Sequence, residues 1–398
     1  MAGRGAAAHV TFRILTLNNI SSSGLARFPA ERYAVGADLE RPDAILVRSA
    51  DLHAVSIGRE VRAIGRAGAG VNNIPVEDMS RRGVPVFNTP GANANAVKEL
   101  VLGSLFLAAR NLGAAWQFAR TLSGDDDAIE AAVEQGKKAF VGFELPGRTL
   151  GVVGLGAIGV EVANAALSLG MKVLGYDPQI TVRRAWQLSS SVEQALSLDD
   201  LFARSDVVTV HVPLNDDTRG LVSGARLRMM RKPATILNFA RAGIVDEQAV
   251  LAALDAQVLH AYVCDFPKRA LLEHPRVITL PHLGASTLEA EENCAVMVVD
   301  QLRDFLENGN IRNSVNYPEA VLPRVPNTTR LGIANRNVPN MVGQISTCLA
   351  AERINIADLL NKSRGDYAYT LIDTDGEVGE ALLKRIRAIN GVLAAYIL

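Results

Sequence analysis

The sequence predicts an α/β protein in three parts: a discontinuous flavodoxin-like domain, a Rossmann domain inserted into it, and a ferredoxin-like βαββαβ domain. Three observations predict this. Short apolar runs alternate with helix-length segments, the rhythm of parallel strands with crossover helices. A glycine-rich turn, Gly154 to Gly159, arrives only after a complete α/β segment, so the domain it opens interrupts another. The last stretch reads strand, helix, strand, strand, helix, strand. The expected boundaries are 9–98 with 284–315 for the split domain, 99–283 for the insert, 316–328 for a linker and 329–398 for the final domain.

The elements follow in order. Arg13–Leu17, Ala44–Val47, Arg62–Ile64 and Val84–Phe87 are apolar runs closed by Gly, Asn or Pro. A helix is expected over Ala94–Ala109, where Val97, Val101, Leu105 and Ala108 recur at helical spacing. The polar stretch Ser123–Lys138 reads as surface chain. A second α/β unit starts at Thr149 and continues through Val173–Tyr176, Val207–His211, Thr235–Asn238, Ala261–Cys264 and Val277–Leu280. The helix Thr287–Asn308 returns to the first lobe. Pro318, Pro323 and Pro326 break all periodicity between Ser314 and Thr328, as a linker does. The final domain reads Thr329–Ile333, Pro339–Ala351, Ile354–Leu360, Tyr367–Asp373, Gly379–Ala388 and Val392–Ile397.

Composition limits the function classes. With 398 residues, 48% of them hydrophobic and 21% charged, the chain has material for several cores. A formal charge of −1 with scattered basic residues argues against a nucleic-acid partner and for small molecules. No apolar run approaches a membrane span of about 18 residues. Cys264, Cys294 and Cys348 lack metal-type spacing, so no metal is expected, and they suit a reducing cytoplasm. The Ala/Gly-rich start, Met1 to Ala8, reads as an extension rather than a targeting signal.

Gly154-Leu155-Gly156-Ala157-Ile158-Gly159 follows the apolar run Leu150–Val153 and opens a helix whose inward face is Ile158, Val162, Ala165 and Leu169. The first glycine permits the tight turn, the second lets a pyrophosphate approach the backbone, and the third allows close helix–strand packing. Asp177 stands 18 residues past Gly159, at the end of the next strand. A carboxylate there accepts the ribose hydroxyls and repels a 2′-phosphate, so the expected cofactor is NAD rather than NADP.

Further motifs accompany that turn: Arg66-Ala67-Gly68-Ala69-Gly70-Val71-Asn72-Asn73, Asn88-Thr89-Pro90-Gly91, His211-Val212-Pro213-Leu214, Asn238-Phe239-Ala240-Arg241-Ala242-Gly243-Ile244-Val245-Asp246 and Pro281-His282-Leu283-Gly284-Ala285-Ser286-Thr287. Through them the chain resembles the D-2-hydroxyacid dehydrogenase family over about residues 12–315. The resemblance implies hydride transfer between NAD and C2 of a hydroxy acid. His282 would be the acid/base and Arg241 the cation that grips the carboxylate, roles that suit an imidazole and a planar guanidinium. It also implies that Gly154, Gly156, Ala157, Ile158, Gly159, Asp177, His211, Val212, Pro213, Thr218, Phe239, Ala240, Arg241, Asp265, His282 and Gly284 hold the cofactor.

One part of the family pattern is missing. Members carry a glutamate that orients the histidine, 29 residues after the arginine; here that position is Ala270, in the shortened segment Asp265-Phe266-Pro267-Lys268-Arg269-Ala270-Leu271-Leu272-Glu273. Three responses are open: Glu273 turns in, another group takes over, or the chain is impaired. Lys98, in Ala94-Asn95-Ala96-Val97-Lys98-Glu99-Leu100, is the candidate replacement, since a desolvated lysine can exchange protons.

The final domain looks like an ACT domain, and a dehydrogenase joined to one is the phosphoglycerate dehydrogenase arrangement. The resemblance therefore implies oxidation of 3-phospho-D-glycerate to 3-phosphohydroxypyruvate, the first step of serine biosynthesis. Arg48, Ser49, Arg66, Gly68, Asn93 and Lys137 (or Lys138) would meet the substrate, and 9–98 with 284–315 would be the substrate-binding domain. Asn335, Asn337 and Asn355 match positions that bind L-serine at domain–domain interfaces, with Asn340 standing where a glycine is usual. A homodimer or homotetramer is implied. Alternatives are a glyoxylate or hydroxypyruvate reductase and, from another class, a NAD-sensing corepressor.

Overall fold

The computed structural model describes residues 12–398. Met1 to Ala8, read above as an extension, lies outside them. The chain forms two compact units: the chain up to Ala92 with Leu288–Leu398, and Asn93–Thr287. These bounds differ from those expected. Helix Ala94–Ala109 belongs wholly to the second unit, because Val97, Val101, Leu105 and Ala108 share a core with Leu150, Val152, Val160 and Val162.

In the first unit, β1 (Phe12–Leu17), β2 (Tyr33–Gly36), β3 (Ala44–Val47), β4 (Ala63–Arg66) and β5 (Val86–Phe87) form a parallel sheet in the order β2-β1-β3-β4-β5. That is the flavodoxin-like order. All four residues of β3 are buried, as expected where both faces of a parallel sheet are covered. Helix Leu288–Asn308 covers one face with Val298, Val299, Leu302 and Phe305.

The second unit holds β6 (Thr149–Val153), β7 (Lys172–Tyr176), β8 (Glu193–Gln194), β9 (Val207–Val210), β10 (Ala234–Asn238), β11 (Leu259–Cys264) and β12 (Val277–Thr279), all parallel, in the order β12-β11-β10-β9-β6-β7-β8. It is the doubly wound order with one added strand. The short exposed β8 and the partly exposed β2 carry too little apolar signal to be seen in the sequence. The helix after the glycine turn, Ala157–Ser168, buries Gly159, Val160, Val162, Ala163 and Ala166, so its inward face is rotated from the one expected; Ile158, Ala165 and Leu169 are half-buried. Nor is Ser123–Lys138 irregular chain. Asp125 caps a helix over Asp126–Gly136 by accepting from Ala128 N at 2.9 Å, and acidic residues fill its first turn.

β13 (Thr329–Arg336), β14 (Ile356–Arg364), β15 (Tyr367–Thr374) and β16 (Val392–Ile397) make an antiparallel sheet ordered β14-β15-β13-β16, with helices Met341–Ala351 and Glu380–Arg387 between strands. This is the βαββαβ plan. One face packs on those helices through Leu331, Ile333, Ile345, Ile372 and Ile386. The other, through Tyr369 and Leu371, joins the core of the first sheet beside Phe87 and Phe305. The proline-broken segment is accordingly no free tether, since Tyr317, Ala320 and Leu322 are buried in that same core. No described helix is long and apolar enough to cross a membrane.

Candidate active site

In the second unit, β6 and β9 are neighbours from which the strand order runs to opposite edges. Ligands of doubly wound sheets sit outside the carboxyl ends of the strands at such a point. Gly154 follows β6 with φ +90°, and a Cβ there would stand 2.7 Å from the His211 carbonyl oxygen, just after β9. A Cβ on Gly159 would stand 1.9 Å from the Gly154 oxygen, so glycine is required for the helix to start against the turn. Before Gly156 there is open space, and no side chain caps the helix Ala157–Ser168. Free first-turn N–H groups facing open space fit the diphosphate of a dinucleotide.

Asp177 follows β7. Its Oδ2 accepts from Leu155 N and its Oδ1 from Gln179 N, both at 2.8 Å. The carboxylate therefore fixes the glycine turn while keeping lone pairs that could accept from further donors. His211 shares a 2.9 Å hydrogen bond between Nε2 and Thr209 Oγ1, and its Nδ1 is buried without a partner. Burial brings its pKa down to about 4, so the ring is neutral at physiological pH and shapes the loop rather than charging it. Val212 and Pro213 continue that loop, and Thr218 Oγ1 donates to Pro213 O at 2.5 Å, closing it.

The next two strands present the two residues that the motifs single out. At the end of β10, buried Asn238 accepts from Ala240 N at 3.1 Å and donates to Arg241 O at 3.0 Å. That clamp holds Phe239 inside and turns Arg241 out, where its Nη1 donates to Ala240 O at 2.7 Å. At the end of β11, Asp265 is 2% exposed, accepts at its carbonyl from His282 N at 3.2 Å, and accepts at Oδ2 from Gly284 N at 3.3 Å. Its Oδ1 has no partner. Burial raises the Asp265 carboxyl above its usual range against the opposing pull of His282 and Arg241. His282 is exposed at φ +51°, with its ring perpendicular to that of Phe266 and the ring centroids 5.5 Å apart.

Glu273 does not turn in. The shortened segment winds into a helix, Arg269–Leu272, and the Glu273 carboxylate accepts from Arg269 Nε at 3.2 Å on its solvent side. Ala270 is exposed there too. Among the described residues no carboxylate bonds to the His282 ring. Lys98 is half-buried and donates to Asn95 Oδ1; its neighbour Val97 lies 3.5 Å from where a Cβ on Gly284 would be. At the head of the same helix, Asn93 keeps a buried Oδ1 without a partner.

The first unit brings Arg48, Arg66 and Gly68 together at the carboxyl ends of β3 and β4. Arg66 Nε donates to Arg48 O at 3.0 Å, and Gly68, at φ +149°, has no room for a Cβ beside the Arg66 guanidinium. Ser49 N donates to Asn18 Oδ1 at 3.0 Å. Arg48 pairs with Glu291 at 2.5 Å, so its charge is partly met already. Asn18 and Glu291 escaped the sequence reading, because Asn18 stands in no motif and Glu291 lies 243 residues from its partner. Lys137 is exposed and pairs with Glu134 at 2.5 Å.

In the C-terminal sheet, Asn335 and Asn337 line a cavity of about 160 Å³ together with Asn340 and Asn361, which sequence reasoning had not assigned there. Asn335 is 1% exposed, with its amide donating to Arg336 O at 2.8 Å. Asn337 donates to Gly365 O at 3.0 Å. Asn355 lies apart: it precedes Ile356, which pairs with Thr374, whereas Asn335 pairs with Ala368 at the other end of the sheet.

Residues 112–284 match the family model described as D-isomer specific 2-hydroxyacid dehydrogenase, NAD binding domain. The chain is 33% identical to a D-3-phosphoglycerate dehydrogenase of Synechocystis over 89% of its own length, and spans 63% of that relative. To the D-3-phosphoglycerate dehydrogenase of Haemophilus influenzae it is 31% identical, covering 84% of this chain and 81% of the relative. A solved NAD+-bound 3-phosphoglycerate dehydrogenase of Entamoeba histolytica superposes with a TM-score of 0.60 at 25% identity, covering 77% of this chain and 99% of that one. With an NAD-binding domain of this type and relatives that align along most of its length, the chain belongs to the D-isomer-specific 2-hydroxyacid dehydrogenase family.

Proposed function

We propose that the chain is an NAD-dependent dehydrogenase that interconverts 3-phospho-D-glycerate and 3-phosphohydroxypyruvate. The carrying observation is the convergence at the carboxyl ends of β10 and β11, where Arg241 is presented by the Asn238 clamp and His282 by Asp265. Bound NAD supplies the hydride acceptor. Arg241 grips the substrate carboxylate and polarises the C2 oxygen, while His282 takes the hydroxyl proton in oxidation and returns it in reduction. Asp177 selects NAD by repelling a 2′-phosphate. Arg48 and Arg66, with Ser49, Gly68, Asn93 and Lys137, meet the phosphorylated end of the substrate.

The names of the curated relatives support the phosphorylated substrate, and so do the paired arginines. The Arg48–Glu291 pair favours a second reading, a glyoxylate or hydroxypyruvate reductase, because a phosphate must compete with that carboxylate. Following NADH oxidation with 3-phosphohydroxypyruvate, glyoxylate and hydroxypyruvate separates them: the first reading requires the phosphorylated acid to be preferred in kcat/KM. No turnover with any of the three would leave a NAD-binding regulator, the corepressor-like alternative.

The βαββαβ unit is read as an ACT domain with L-serine as effector. With Asn335 and Asn337 at one end of the sheet and Asn355 at the other, the three would share a ligand between two copies of the domain, in the homodimer or homotetramer that this reading implies. The chain is read as a cytoplasmic enzyme, a reading that the free cysteines suit.

A further inference from the structure

We infer that Phe266 is the positioning residue for the His282 imidazole, filling with an aromatic ring the place where a carboxylate partner is lacking. The inference rests on the reading of His282 as the acid/base. Within bonding distance of the His282 ring there is no Asp or Glu among the described residues: Ala270 has no carboxylate to offer, and Glu273 is engaged by Arg269. What the ring does meet is Phe266, at 5.5 Å between centroids and 88° between planes. That is the edge-to-face geometry aromatic pairs prefer.

Three features make the contact a hold rather than a brush. Phe266 is anchored from behind, packed against the core that contains Tyr262, Cys264 and Leu271. Pro267 follows it directly and limits its backbone. The histidine backbone is pinned to the same segment, with His282 N donating to Leu280 O at 3.0 Å and to Asp265 O at 3.2 Å, and Gly284 N donating to Asp265 Oδ2 at 3.3 Å. With its Cα fixed at φ +51°, only the side-chain torsions of His282 remain to be set, and the Phe266 ring sets them. An aromatic contact consumes neither ring nitrogen. A carboxylate partner would instead occupy one of them.

The test compares Phe266→Leu with Phe266→Tyr in the full chain. In protein labelled at histidine, the His282 ring protons, assigned by their loss in His282→Gln, carry a ring-current shift from Phe266. Phe266→Leu should remove that shift and lower kcat about threefold to tenfold with KM for substrate and NADH unchanged, and Phe266→Tyr should restore both. A leucine variant with unaltered His282 signals and unaltered kcat would overturn the inference. So would a folded tyrosine variant that restores neither. If Phe266→Leu fails to fold, Phe266→Met, which keeps a flexible apolar plug, takes its place with the same expectations. A wild-type chain that turns over none of the keto acids would sink the catalytic reading alone, since the ring-current arm needs no turnover.

Discussion

Arg330 clasps Asp373 through two contacts of 2.6 Å, Nε to Oδ1 and Nη2 to Oδ2, with both side chains fully buried. The remaining donors reach the carbonyls of Asn308, Leu322 and Pro323, and Asp373 Oδ2 also accepts from Val325 N. One ion pair thus ties the end of helix Leu288–Asn308, the proline-broken segment and two strands of the C-terminal sheet.

Breaking it from one side strands a buried charge. Arg330→Ala should cost about 3–5 kcal/mol in urea unfolding at pH 7. Burial alone would raise the Asp373 carboxyl, but the bonds from Arg330 and Val325 N, with the charges of Arg330 and Arg324, together more than offset this and hold it below the ordinary range. A lowered carboxyl contributes stability above its unfolded pKa, and the contribution fades as pH falls through the folded value. Wild type and variant should therefore converge in stability as the medium is acidified. A constant difference down to low pH would contradict this role.

This lock illustrates what the sequence could and could not tell. Pro318, Pro323 and Pro326 correctly marked the end of regular structure, yet Tyr317 and Leu322 are core residues and Arg330 reads as any charged residue at a strand start. Burial of an irregular segment depends on partners far along the chain, which periodicity does not encode. The glycine turn was legible because each glycine answers a local steric demand. Arg241 and His282 were singled out through motifs, but the Asn238 clamp that aims the arginine emerged only with the coordinates. Likewise Asn335 and Asn355 looked like one site in sequence and lie at opposite ends of a sheet.

In the proposed reading Asp177 serves both the glycine turn and the choice of cofactor. Because it also anchors Leu155 N, truncation would damage the turn for any dinucleotide. Asp177→Asn keeps an acceptor oxygen while removing the charge. It should weaken NADH binding and improve the ratio of NADPH to NADH affinity by about tenfold or more, read by fluorescence titration. An unchanged ratio would remove Asp177 from cofactor selection.

Asp265 should trade stability for function. Its Oδ1 is buried without a partner and burial raises its carboxyl, so ionisation near neutrality is a cost to the fold. Asp265→Asn should raise the Tm at pH 7 while weakening NAD binding or turnover. The sign fixes the pH window: the advantage should be absent at low pH, where the acid is protonated folded or unfolded, and grow as pH rises through the unfolded and then the raised folded value. A lower Tm at pH 7 would show the Gly284 contact to outweigh the buried charge.

The division of proton chemistry between His282 and Lys98 is open to mutation. Removing Arg241 or His282 should lower turnover about 10²–10⁴-fold, with substrate KM rising for Arg241→Ala and kcat bearing the loss for His282→Ala. Lys98 is half-buried one residue from Val97, which adjoins Gly284, yet its ammonium is held by Asn95. If it shares the proton chemistry, Lys98→Ala should abolish activity across the pH range and Lys98→Arg, which keeps charge without titrating, should not restore it. If it serves only as a fixed cation, Lys98→Arg should retain most of the activity. Ala270→Glu bears on the missing carboxylate. Ala270 is exposed on the outward helix beside the Arg269–Glu273 pair, so a carboxylate placed there should find Arg269 or water before it finds His282. Its kcat should match wild type, and a gain would mean that the segment refolds around the histidine and that the natural chain runs below its capacity.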